Sequence, residues 1–200
     1  MLATNTSDFF ETQFQRQVRE HDFTLNPFER AALPYLHGSL LDFGCGLGNL
    51  ALAAARDGCS VVALDASPAA IAHIRDAASS ESLPMVAMEA DLREYEIKRD
   101  FDVIVCIGLL MFFDCAAASR QLAQIQSRIR LGGIAVVNVL TEGTTYLDMF
   151  DTKGYCLFAR GELERRFAGW ELLLAENRDF PAPGARIKSF ATVIARKPLA

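Results

Sequence analysis

Three glycines follow the first apolar run of the chain, in the stretch LLDFGCGLGN of residues 40–49. Gly44, Gly46 and Gly48 let the backbone approach a ligand without Cβ contact. The amides at the start of the helix predicted to follow can donate hydrogen bonds to that ligand. A dinucleotide-binding fingerprint needs its last glycine at position 49, where this chain has Asn49. The spacing therefore predicts a ligand-binding loop whose register does not suit a pyrophosphate.

Three aspartates near the ends of predicted strands indicate what the ligand carries. Asp42 directly precedes the glycine loop, where a carboxylate repels phosphate but can hold an amino group, directly or through water. Asp65 lies about 20 residues beyond the loop, the placement of an acid that binds a ribose diol. Asp91 can accept the amino group of adenine beside the Leu92 amide. These features favour S-adenosylmethionine (SAM), which has an ammonium, a sulfonium and no phosphate.

The elements that position these residues alternate along the chain. Apolar and β-branched runs predict strands, and alanine-rich or capped segments between them predict helices. We expect strands at 39–43, 60–65, 85–91, 101–108 and 134–140, and helices at 49–58, from Pro68 after the cap Ser67, and at 116–130. Such alternation implies a parallel sheet covered on both faces, with the carboxyl ends of its strands along one crevice.

The C-terminal part of the chain departs from this alternation. After a short helix candidate at 161–169, two strand-like runs at 170–179 and 187–197 are joined by a loop and should pair antiparallel. The predicted fold is α/β: a Rossmann-like doubly wound sheet, mostly parallel, with a C-terminal antiparallel hairpin strand. We expect one domain overall, with an N-terminal helical segment or lid at 1–37 and the main domain at 38–200.

The motifs together carry a family resemblance. LDFGCGLGN, VVALDASPAAI, EADL, FDVIVCIGLLMFF and LGGIAVVNV resemble the successive cofactor motifs of class I SAM-dependent methyltransferases, over about residues 38–140. The stretches LLMFFD, ARGELERRFAGWELL and RIKSFATVIARK are similar to bacterial tellurite-resistance methyltransferases of the TehB type. This resemblance implies methyl transfer from SAM, leaving S-adenosylhomocysteine, to a small soft nucleophile such as a thiol, a selenol, tellurite or selenite.

The motifs and the positions of these residues along the chain together indicate candidate site residues. The expected cofactor contacts are Asp42, Gly44, Cys45, Gly46, Gly48, Asn49, Asp65, Ala66, Ala90, Asp91, Leu92, Ile107, Gly108 and Leu109, and the expected acceptor pocket contains Met111, Phe112 and His21. Tellurite-resistance methyltransferases carry a His-Arg pair and a later Arg before the final strand, whereas this chain has no histidine there. Arg186 matches the later Arg, and Arg178 is a looser candidate for the pair.

This chain has fewer candidate cations before the final strand than tellurite-resistance methyltransferases have, which changes the expected acceptor. A single guanidinium can still clamp an anion bidentately, but fewer positive groups lower the preference for a dianionic oxyanion. We therefore expect a thiol-like acceptor at least as readily as tellurite. The alternative for Arg186 is an ordinary surface salt bridge.

Composition excludes several classes of partner. A net charge of −5, an isoelectric point of about 5.2 and no basic run longer than Arg165-Arg166 argue against nucleic acid. The first residues lack the basic and apolar regions typical of a secretion signal, and no apolar stretch reaches the roughly 18 residues that span a membrane, so we expect a cytoplasmic protein. We expect it to be a monomer or a homodimer. Its five cysteines lack metal-binding spacing, which predicts buried free thiols and no metal.

Three alternatives stay open at this point. The chain could bind SAM as a sensor or accessory protein without turnover, or it could be a nicotinamide dehydrogenase. The N-terminal segment could be an amphipathic helix anchored by Phe9, Phe10 and Phe14, a lid over the cofactor, or both. Cys45 could act as a nucleophile, but its place between two glycines favours a compact residue in the cofactor wall.

Overall fold

The computed structural model describes residues 6–150 and 154–199, with side chains from residue 10 onward in these ranges. The strands are β1 (Ser39–Phe43), β2 (Ser60–Asp65), β3 (Met85–Glu89), β4 (Phe101–Ile107), β5 (Ile129–Leu140), β6 (Glu171–Ala182) and β7 (Arg186–Arg196). The α-helices are α1 (Thr6–Glu20), α2 (Pro27–Ala32), α3 (Asn49–Arg56), α4 (Pro68–Ser80), α5 (Cys115–Arg128) and α6 (Glu162–Arg166), with short 3-10 turns at Leu33–Tyr35 and Leu110–Phe112.

The strands form one sheet in the order β3-β2-β1-β4-β5-β7-β6. The pairs among β1 to β5 are parallel, whereas β7 runs antiparallel to both β5 and β6. The predicted fold, a mostly parallel doubly wound sheet with a C-terminal antiparallel hairpin, is confirmed. The hairpin forms because a tight turn with positive φ at Gly184 and Ala185, instead of a helix, joins its two strands.

The sheet separates two buried clusters of apolar side chains. Along β4, Val103 and Val105 belong to the cluster on one face, and Ile104 and Cys106 belong to the cluster on the other. Successive side chains of a strand point to opposite faces, so a strand covered by helices on both sides is apolar at every position. This explains why the central strands are continuous apolar runs.

Helix caps fix where several helices begin. The Ser67 hydroxyl accepts from the Ala70 amide at the start of α4, and the Asp114 side chain accepts from the Ala117 amide at the start of α5. Asn26 and Glu29 form a reciprocal capping box on α2. These caps place the first turns of α2, α4 and α5 near the carboxyl edge of the sheet.

Some element boundaries differ from the prediction. β3 ends at Glu89, so Asp91 lies two residues beyond the strand instead of ending it. The reason is local: Asp91 turns back to pair with Arg93. β5 begins at Ile129 and includes Leu131 to Gly133, which the sequence suggested as a connection before the strand.

The expectation of five free thiols is wrong for two cysteines. Cys115 and Cys156 form a disulfide, with their Cα atoms 4.8 Å apart. The bond joins the first residue of α5 to the segment that follows Gly154. The Cys156 amide also donates to the Met111 carbonyl, 3.0 Å away. The two cysteines are 41 residues apart, so spacing alone does not reveal the pair. Cys45, Cys59 and Cys106 are buried free thiols, as predicted.

Across residues 6–150 and 154–199, the helices are all too short or too polar to cross a membrane.

Candidate functional site

A cavity of about 1340 Å³ opens at the carboxyl ends of the central strands. The glycine loop after β1, the ends of β2 and β4, helix α1, the start of α2 and strand β7 all contribute to its wall. Pockets for a single small ligand usually measure about 300–1,000 Å³. This cavity therefore has room for a nucleoside-sized ligand together with a second small molecule.

The glycine loop is closely packed on both of its sides. A Cβ atom at Gly44 would meet the Leu109 side chain at 2.9 Å, and one at Gly46 would meet the Phe14 ring at 3.3 Å. Gly46 also has a φ of +53°, which disfavours residues with a side chain. The loop therefore needs glycine at these positions in order to fit between α1 and the segment after β4.

Asp65 joins the glycine loop to the end of β2. Its carboxylate accepts from the Gly46 amide at 2.8 Å and from the Ser67 amide at 2.9 Å. Burial raises the pKa of Asp65, these backbone hydrogen bonds lower it, and the nearby charge of Glu11 raises it further. A carboxylate offers about four lone-pair positions, so each oxygen can still accept from a ligand hydroxyl. Asp65 is thus oriented by the backbone and lines the cavity.

Asp42 is the most deeply buried acid of the site. β1 lies between β2 and β4, where Asp42 is in register with Ala63 and Val105, and the residue is only 4% exposed. Burial, followed by the nearby charges of Glu29 and Asp65, raises the pKa of Asp42 to about 8. Among the described residues no basic side chain forms an ion pair with it.

Glu29 adds a further acid to the same wall. Burial raises its pKa, while the Asn26 amide and the charge of Arg30 lower it. Asp42, Asp65 and Glu29 therefore converge on one cavity, and within the described residues none of the three forms a salt bridge. Carboxyls brought together in this way favour a positively charged ligand, because such a ligand relieves both their burial and their mutual repulsion.

The predicted adenine end lies after β3. Asp91 and Leu92 both line the cavity. The Asp91 carboxylate, however, is bound bidentately by Arg93, with N–O distances of 3.0 and 2.8 Å, and this pairing lowers the pKa of Asp91. A ligand amino group would therefore share this carboxylate with a guanidinium, which the sequence did not indicate.

Helix α1 covers the glycine loop. Besides the contact between Phe14 and Gly46, the Ser67 hydroxyl donates to Glu11, and Phe10 packs edge-on against Phe112 with ring centroids 4.9 Å apart. Phe10 and Phe14 thus serve as the predicted anchors, whereas the side chain of Phe9 lies outside the described part of the structure. The helix both packs on the domain and forms one wall of the cavity.

The structure brings most of the predicted residues into the cavity wall. Asp42, Gly44, Cys45, Gly46, Asn49, Asp65, Ala66, Ala90, Asp91, Leu92, Ile107, Gly108, Leu109, Met111 and Phe112 all line it. Gly48 does not line it, and instead precedes α3 with a φ of +72°. His21 is also outside the wall: it lies exposed at the end of α1, with its Nδ1 3.3 Å from the Arg19 carbonyl.

Neither predicted arginine lines the cavity. The Arg186 guanidinium binds both oxygens of Asp148 at 2.6 and 2.8 Å and donates to the Pro183 carbonyl at 2.9 Å. Arg178 lies 4.0 Å from Glu176, over the ring of Phe180. Both arginines are on the outer part of the C-terminal hairpin, and the structure shows the salt bridge that was the alternative for Arg186.

Several cavity residues were missed by sequence reasoning. Glu11, Glu29, Asn138, Lys188 and Phe190 all line the wall. The last two are found only through the antiparallel register, in which Phe190 of β7 pairs with Leu140 at the carboxyl end of β5. In residues 6–150 and 154–199, no three His, Cys, Asp or Glu side chains are grouped as a metal site would require.

Comparisons with known proteins agree with this architecture. Residues 40–133 match the family model described as a methyltransferase domain. The chain is 32% identical over 171 residues to "Hemagglutinin 1" of Eikenella corrodens, an alignment that covers 79% of this chain and 54% of that protein. The chain thus spans about half the length of the curated relatives it matches.

Solved structures share the fold at low sequence identity. TehB from Haemophilus influenzae superposes with a TM-score of 0.77 at 20% identity, over 96% of this chain and 67% of that chain. The N-methyltransferase NodS from Bradyrhizobium japonicum, solved with S-adenosyl-L-homocysteine, superposes with a TM-score of 0.68 at 17% identity, over 97% of this chain and 99% of that chain. Likeness at this level of identity shows the fold.

Proposed function

We propose that the chain, whose residues 40–133 match a methyltransferase domain and which has the class I methyltransferase fold, transfers a methyl group from SAM to a small-molecule acceptor. S-adenosylhomocysteine would be the second product. The observation that carries this proposal is the group of acids Asp42, Glu29 and Asp65 around a closely packed glycine loop, none of which forms a salt bridge in the described part of the chain.

The residues present fit SAM. Asp42 is a buried acid without a counter-ion, and the buried Oδ1 of Asn49 has no hydrogen-bond partner in the described part of the chain. Both suit the ammonium of an amino acid. Asp65 suits the ribose hydroxyls, and Asp91 with Leu92 suits the adenine edge. When bound, SAM supplies a methyl group that its positive sulfonium activates.

The contribution of the protein would be positioning and exclusion of water. The three histidines, His21, His37 and His73, are all described, and none of them lines the cavity. A soft nucleophile that is already anionic needs no strong general base, whereas it does need alignment with the methyl carbon and the sulfur. We therefore propose a thiol, a selenol, tellurite or selenite as the acceptor. The resemblance to tellurite-resistance methyltransferases supports this range.

A SAM-binding protein without turnover is the second candidate. It is favoured by the position of Arg178 and Arg186, which lie outside the cavity and so do not supply the acceptor-binding cations that the resemblance implies.

Calorimetry with SAM, S-adenosylhomocysteine and NAD tests which cofactor the protein binds. A transfer assay with thiols, selenite and tellurite, read as methylated product, then tests turnover. We expect binding of SAM and of its product, followed by transfer. Binding without any methylated product would favour a sensor, and binding of NAD alone would contradict both candidates.

We also propose that the protein acts in the cytoplasm as a monomer or homodimer. Its partners would be small molecules, not nucleic acid or membranes. Residues 1–37 would act as a lid over the cavity. The negative net charge supports the choice of small molecules as partners.

The Cys115–Cys156 disulfide is the observation against a cytoplasmic location, because such bonds are rare in a reducing compartment. Acid quenching of intact cells followed by thiol labelling decides this. Labelling of Cys115 and Cys156 in addition to the three free cysteines would mean that the disulfide is reduced in cells and would support the cytoplasm. Labelling of the three free cysteines alone would contradict it.

A further inference from the structure

Two cations, Arg93 and Lys188, lie in the wall of a cavity that is otherwise rich in acids, and Arg93 is paired with Asp91. Lys188 of β7 is half-buried and lines the cavity, and its burial lowers its pKa. Among the described residues no carboxylate forms an ion pair with it, and its ammonium lies 4.8 Å from the centroid of the Tyr146 ring. Arg186, two residues earlier on the same strand, is neutralised by Asp148 instead. Lys188 is therefore a positive charge with no acidic partner at the site.

The surroundings of Lys188 are apolar. Phe190 projects from the same face of β7, and its ring centroid is 4.8 Å from that of Phe28. Met111, Leu140 and Met149 complete this part of the cavity wall. The cavity thus has an acidic end at the glycine loop and an apolar end with one ammonium. A cationic cofactor suits the first end, and the second end suits a ligand of opposite charge with an apolar body.

We propose that Lys188 binds the negative group of the methyl acceptor, and that the acceptor is an organic monoanion with an apolar or aromatic body. This inference rests on the proposed function, since it assigns the second ligand of the same cavity. The apolar wall distinguishes such an acceptor from an inorganic oxyanion, which has no apolar surface to bury. An aromatic thiolate has both features, a negative charge on its sulfur and an apolar ring.

The test uses two isosteric probes that differ in charge. Benzenesulfonate and benzenesulfonamide are titrated by calorimetry into the 200-residue chain, both with and without S-adenosylhomocysteine. The variants are Lys188→Gln, which removes the charge, and Lys188→Arg, which keeps it. Lys98→Gln is the matched control, because Lys98 is an exposed lysine that does not line the cavity.

We expect the wild-type protein to bind benzenesulfonate about tenfold or more tightly than the sulfonamide, as one charged hydrogen bond allows. Lys188→Gln should abolish this preference, and Lys188→Arg and Lys98→Gln should keep it. Equal binding of the two probes by the wild-type protein, no binding of either, or a preference that survives in Lys188→Gln would overturn the proposal. Failure of S-adenosylhomocysteine to bind would count against the proposed function alone, because the titrations without it still test Lys188.

Discussion

At the scale of single residues, Asp65 lines the cavity and its hydrogen bonds hold the glycine loop in position. It holds the Gly46 and Ser67 amides and is the residue expected to accept the ribose hydroxyls. Replacing Asp65 by Ala should weaken SAM binding by about 1.5–3 kcal/mol, the usual cost of losing charged hydrogen bonds. Calorimetry measures this change, and circular dichroism checks that the domain stays folded. An unchanged dissociation constant would remove Asp65 from the ribose site.

Gly46 tests whether the loop is the cofactor cradle. Gly46→Val should abolish measurable SAM binding, because its side chain meets the Phe14 ring and its backbone has a positive φ. Gly58→Val is the matched control, since Gly58 has a φ of +90° but nothing within 4 Å of an added Cβ. Both variants should lose stability from backbone strain, whereas only the first should lose SAM. Normal SAM binding by Gly46→Val would show that the ligand lies elsewhere.

Asp42 should make the stability of the ligand-free protein depend on pH. Its pKa is about 8 in the folded chain, against an ordinary value of 3.8. Between these values the folded chain keeps a proton that the unfolded chain has lost. The stability gained from this proton is complete below the ordinary value and is lost as the pH rises through about 8.

Thermal unfolding from pH 5 to pH 9 measures this effect. The melting temperature of the wild-type protein should fall toward pH 8, and Asp42→Asn should flatten this fall because its amide does not titrate. Glu29, whose pKa is also raised, should keep a smaller slope in the variant. Parallel curves for the two proteins would show that Asp42 does not carry the dependence.

At the scale of elements, α1 covers the glycine loop and lines the cavity. It contacts the glycine loop through Phe14 and the start of α4 through Glu11. If the N-terminal segment acts as a lid, SAM should slow cleavage by trypsin within residues 8–28, since a ligand beneath the helix stabilises its closed position. Cleavage at the exposed Lys98 and Arg99 provides the internal control. Equal rates within 8–28 with and without SAM would favour packing alone.

The C-terminal hairpin shows why some elements could be predicted better than the residues they bring to the site. The change from alternating helices to two consecutive strands is visible in the sequence and predicted the antiparallel pair. Which side chains of β7 enter the cavity depends on its pairing with β5, where Leu140 is opposite Phe190. Sequence reasoning chose Arg186 by its resemblance to a motif, whereas the register brings Lys188 to the wall.

At the scale of the whole molecule, the parallel sheet is what made much of the cavity wall predictable. Asp42 and Asp65 follow from the rule that ligands bind at the carboxyl ends of parallel strands. Contacts between distant segments follow from no such rule. The salt bridge of Arg186 with Asp148, the pairing of Cys115 with Cys156 and the entry of Glu29 into the site all depend on how loops close over the sheet. Local pattern carries no information on these contacts.

The disulfide has a mechanical consequence for the chain as a whole. When the protein is pulled from its two ends, the bond between Cys115 and Cys156, 41 positions apart, keeps the residues between them from bearing tension. Fully extended chain reaches about 3.3–3.6 Å per residue, so these residues withhold roughly 140 Å of contour length. Single-molecule stretching should therefore show an unfolded chain that lengthens by this amount once a reductant is added.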